Sequence, residues 1–113
     1  MTQEEQANLS NTLWKKYFAL MDAKSALNNL HPDERPDYEA ARQNIQTEMD
    51  FVSAVITNIS KPIPIAFPSD DDIRRLQEAV GELEHATRVT QSAAALVTVA
   101  GRVISTWPVS RAG

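Results

Sequence analysis

Glu82 and His85 stand three residues apart, with Glu78 one turn earlier. On a helix, Glu-x-x-His is the spacing with which di-metal carboxylate bundles hold iron or manganese. A complete site of that kind needs a second such pair and further inward-facing carboxylates. The chain has only two histidines, and the other, His31, precedes a proline in a turn segment. Glu78, Glu82 and His85 also fall outside the apolar row Ile73, Leu76, Val80, Leu83, so we expect them on a polar, solvated face. A metal site built on Glu82 and His85 is retained only as a remote alternative, with Glu48 as a further carboxylate.

The run Ser69-Asp70-Asp71-Asp72 suggests a cation less than it suggests a helix start. Ser69 is a good N-cap, and carboxylates in the first turn favour the positive end of the helix dipole. No calcium-loop spacing follows. Cysteine is absent, which excludes thiol catalysis and cysteine-ligated zinc. With three glycines in all, no glycine-rich phosphate loop and no nucleophile elbow can be drawn. The net charge of −4 and the lack of a basic stripe argue against nucleic acid. No enzymatic function and no cofactor are expected.

The 113 residues suit one domain, able to bury roughly 65% of its unfolded surface without disulfides. Few glycines and aromatics, against many Ala, Leu, Gln and Glu, indicate an all-α chain. Charge is uneven: residues 69–85 hold six acids and two arginines, residues 86–113 three arginines and no acid. That dipolar layout suits head-to-tail or antiparallel self-pairing. The opening residues Met1–Gln6 are polar and acidic, unlike a secretory signal. No stretch approaches the ~20 apolar residues of a membrane span. The expected location is therefore cytoplasmic, with signal-less secretion compatible.

The elements follow from periodicity and punctuation. Helix I is expected over about 3–30, opened by the capping box Thr2-x-x-Glu5. Its apolar face is Leu9, Leu13, Tyr17, Leu20 and Leu27, flanked by Trp14, Phe18 and Met21, with Lys15, Lys16 and Lys24 towards solvent. The aromatic cluster Trp14, Tyr17 and Phe18 reads as core. A turn at His31–Pro36 leads to helix II over about 34–60, where Tyr38, Ala41, Ile45, Met49, Val52, Ile56 and Ile59 step by threes and fours. That rhythm predicts an antiparallel, coiled-coil-like hairpin. Pro62, Pro64 and Pro68 make 61–68 an extended crossover, with Ile63, Ile65 and Phe67 capping the bundle.

The third helix is expected to run unbroken over about 70–106, with a tail at 107–113. Counted from Ser69 it would reach roughly 57 Å, against roughly 35–40 Å for each earlier helix. The sequence thus predicts a three-helix bundle whose last rod outruns its partners. A break near Gly81 or at 86–90 would make it a four-helix bundle instead. The overhang presents an apolar row, Val89, Ala93, Leu96, Ala100, Val103 and Trp107, beside Arg88 and Arg102. We expect this row to bind a protein partner or a second copy, giving a homo-oligomer or an adaptor, inhibitor, immunity or chaperone-like role. On that reading, Leu96→Asp dissolves the assembly and spares the helices. The rival reading is a membrane-active helix using the apolar segment 89–107.

Overall fold

The computed structural model describes residues 3–29, 39–58, 68–89 and 93–107, and every element among them is an α-helix. Gln3 to Asn28 contains neither proline nor glycine, and it forms one helix, α1 (Gln3–Asn28), of 26 residues. Its buried row is Leu9, Leu13, Leu20 and Leu27 with Ala19 and Ala23 packed between. Helix α2 (Glu39–Asn58) buries Ile45, Met49, Val52 and Val55, the 3–4 rhythm of one bundle face. Arg42 bonds to Asn28 and Lys24 to Gln46, so residue numbers fall along α1 as they rise along α2. The two helices are antiparallel neighbours. Thr2, the His31–Pro36 turn, Tyr38, Ile59, the crossover at 61–67 and the tail from 108 lie outside the described residues.

Helix α3 (Asp70–Val89) opens on a reciprocal cap. The Asp72 amide donates to Ser69 Oγ at 3.1 Å, and the Ser69 amide donates to Asp72 Oδ2 at 3.0 Å. Asp71 meets Arg74 and Arg75, and the Arg74 hydrogen bond holds its carboxyl below the usual carboxylate range. Two of the three aspartates are thus committed to the helix start, which accounts for the acidic run without an ion. Ser69→Ala should lower stability by about 1 kcal/mol, read as a small shift of the urea midpoint at constant slope.

The third helix is not continuous, and this corrects the main architectural expectation. A separate helix, α4 (Ala93–Ile104), follows α3 and folds back along it. Arg102 Nη1 lies 3.2 Å from Glu82 Oε2; on one straight helix those residues would be roughly 30 Å apart. The molecule's longest dimension is 48 Å, shorter than the roughly 55 Å an unbroken 70–106 rod would need. Four helices are therefore present among the described residues, rather than three.

The reason is energetic rather than local, since neither proline nor glycine stands between Gly81 and Gly101. Folding back buries Leu96, Ala100 and Val103 and partly covers Val97, Val99, Ile104 and Trp107. Each large side chain so buried contributes about 1.5–3 kcal/mol. Interrupting the helix forfeits about one turn of hydrogen bonds, worth ~1 kcal/mol each. Burial wins. Helix α4 touches α1, α2 and α3, and those contacts explain why its apolar arc is so wide.

Candidate interaction surface

Burial divides α1 into two opposite stripes. The inner one is the leucine row; the outer one is Trp14, Phe18 and Met21, spaced by four and three. At 100° per residue the centres of the two stripes stand roughly opposite one another. The outer residues are 39%, 49% and 37% exposed, which for large apolar side chains means open water on one face. The indole of Trp14 stacks on Phe18 with centroids 5.5 Å apart and planes 23° from parallel. Tyr17 meets both rings edge-on at 5.4 and 5.6 Å and leans into the core. The rings therefore form one preassembled ledge rather than three mobile side chains.

This overturns the expectation that Trp14 and Phe18 lie in the core, and the cause is identifiable. Lys16 occupies the centre of the leucine stripe and is fully buried, not solvent-facing as Lys15 is. Counting Lys16 as a surface residue rotates the inferred apolar face of α1 towards the aromatics. Its ammonium donates to Glu48 Oε1 on α2 at 3.1 Å and to the Thr106 carbonyl just beyond α4 at 3.2 Å. Both side chains are buried, at 0% and 1% exposure. Burial pushes the Lys16 ammonium below its ordinary value, and Glu48 pulls against that shift without cancelling it. The pair binds α1, α2 and the end of α4 together, where substrate cannot reach it.

The row anticipated on the C-terminal rod is scattered by the fold. Leu96, Ala100 and Val103 are 2%, 1% and 0% exposed, so they form the chain's own core rather than a docking face. Trp107 is partly buried against that core. Ala93 begins α4, while Val89 at the end of α3 is 59% exposed. Arg88 is exposed on α3, and Arg102 is exposed beside Glu82. The residues do not share one surface.

The remaining candidates are accounted for by their surroundings. Glu82 pairs with Arg102, His85 is exposed, and Glu48 is sequestered with Lys16. Among the described residues no group of three or more Asp, Glu or His is placed to hold a metal ion. No described helix is long and apolar enough to cross a membrane. A cleft of about 340 Å³ runs between α1 and α3, bordered by Lys15, Phe18, Asp22, Glu84 and Arg88. A larger one, about 750 Å³, lies nearer the helix starts between Glu5, Asn8, Thr12, Asp70 and Gln77.

The structure defines an all-helical, bundle-like protein with an aromatic ledge on its longest helix. No family model, curated protein or solved structure matches the chain.

Proposed function

We propose that the protein is a non-enzymatic helical interaction module, and that it docks through the outer face of α1 rather than through the C-terminal row. The observation that carries this reading is the stacked Trp14–Phe18 pair with Met21, exposed on the side of α1 opposite the core. Aromatics are the side chains that most often dominate binding energy at interfaces, and a rigid pair costs little entropy on docking. None of Trp14, Phe18 and Met21 belongs to the described core or packs against it as Tyr17 does, so their apolar surface is open to a partner. An adaptor, inhibitor, immunity or chaperone-like role in the cytoplasm fits this reading equally well.

The test separates binding from stability. Trp14→Ser and Phe18→Ser should each lower the melting temperature only slightly, because the lost contacts lie outside the core. Each should weaken association with a partner about thirtyfold, the value of a 2 kcal/mol hot spot. Affinity purification from source cells, with wild-type and Phe18→Ser baits compared quantitatively, makes the measurement. Equal recovery of every captured protein by both baits would remove the α1 face from consideration.

A further inference from the structure

Building on that reading of the α1 ledge, we propose that its occupant is a second copy of this chain, seated antiparallel about a twofold axis crossing α1 between Ala19 and Leu20. The seam residues Trp14, Phe18 and Met21, with Ser25 beyond, follow the alternating four-and-three spacing of a coiled-coil stripe, and all four are exposed. Lys15 and Asp22 lie one heptad apart on the flank of that seam, both exposed.

In an antiparallel pair, a flanking position meets the same flanking position of the other helix. Layering Phe18 on Met21 of the second copy sets Lys15 against Asp22 of the second copy, and the symmetry makes the same pair again. The adjacent register, Trp14 on Phe18, sets Lys15 against Lys15 and is repelled. A parallel arrangement brings Lys15 and Asp22 to Ser10 and Tyr17, with no charge to answer them. Only one of these pairings satisfies the flank.

Helix α3 repeats the pattern one row further out. Glu84 and Arg88 are exposed and border the same cleft as Lys15 and Asp22, level with the proposed axis. The axis therefore places Glu84 on the side of Arg88 of the second copy. Two acids and two bases, balanced about one point beside an aromatic ledge, make a surface complementary to itself.

Sedimentation equilibrium of the full chain over a wide concentration range tests this, with melting curves confirming that each variant folds. Wild type should show a reversible monomer–dimer equilibrium. Lys15→Asp and Asp22→Lys each create two like-charge contacts and should weaken the dimer about tenfold. The combined Lys15→Asp/Asp22→Lys chain restores opposite charges and should return to about the wild-type affinity, while Phe18→Ser abolishes pairing in every background. A wild type that stays monomeric at its highest soluble concentration overturns self-pairing. The docking role of α1 is then still decided by whether Phe18→Ser changes what the bait captures. A wild-type dimer that is indifferent to the single charge reversals, or that the double reversal fails to rescue, overturns the proposed antiparallel pairing.

Discussion

Lys16→Met should destabilise the fold by about 3–5 kcal/mol, because it strands the Glu48 carboxylate in a dry core without its cation. The loss is large against the roughly 5–15 kcal/mol typical of a whole domain. The double variant Lys16→Met/Glu48→Leu should recover most or all of it. Two apolar side chains of similar volume replace an ion pair whose desolvation offsets its attraction, so the double chain should be at least as stable as wild type apart from the lost Thr106 contact. Urea titrations of the two single variants and the double give the coupling directly. A double variant as damaged as the singles would mean that the pair stabilises the fold outright.

The same pair has a pH signature opposite to that of an exposed salt bridge. Lys16 is held below its ordinary value of 10.5 chiefly by burial. Between the folded and unfolded values the unfolded chain therefore binds more protons, and stability must rise with pH across that window. An exposed pair, with its lysine raised, loses stability over the alkaline range instead. Subtracting the profile of the Lys16→Met/Glu48→Leu chain from that of wild type cancels the other titrating groups. The difference should climb as pH approaches 10.5; a falling difference would show that Glu48 outweighs desolvation.

The second large effect is Leu96→Asp. Leu96 is 2% exposed on α4 and belongs to the hydrophobic core, so a carboxylate there would be stripped of water among apolar side chains. Burying an unpaired charge belongs to the few mechanisms that exceed about 4 kcal/mol. For a domain of this size that is a fall of roughly 15–30 °C in melting temperature. Helix α4 should undock first, since it is the shortest of the four at 12 residues and an isolated helix of that length is marginal in water. Near-ultraviolet dichroism, to which Trp107 contributes alongside Trp14, and thermal melting follow the change. A variant that melts as wild type does, and loses only an assembly, would restore Leu96 to a docking surface.

Much of the helical content was legible from the chain. Leu9, Leu13, Leu20 and Leu27 on α1, and Ile45, Met49 and Val52 on α2, carry a periodicity that one buried face imposes directly. Ser69 announces the start of α3, although its reciprocal bond with Asp72 adds more than the cap alone. The interaction surface was not legible in the same way. Helix α1 carries two apolar stripes, and periodicity does not say which of them faces inward. The lysine at the centre of one stripe weighted the choice towards the wrong side, because a charge inside a core is expensive and rare. Glu48, 32 residues away, and the Thr106 carbonyl, 90 residues away, make that position tolerable.

The amino-acid order by itself determined that this protein is helical, that α3 starts at the Ser69 cap, and that its last forty residues hold more apolar surface than one amphipathic face requires. Tertiary structure decided what that surplus does. Residues 70–106 lack a strong breaking signal, so nothing local distinguishes an overhanging rod from a hairpin; the free energy of burying Leu96, Ala100 and Val103 against three helices makes the distinction. The same packing fills the interior with leucine, valine and a lysine–glutamate pair, and leaves Trp14 and Phe18 outside. Helix periodicity is a property of one segment, whereas the face that meets water depends on every other segment competing for the core.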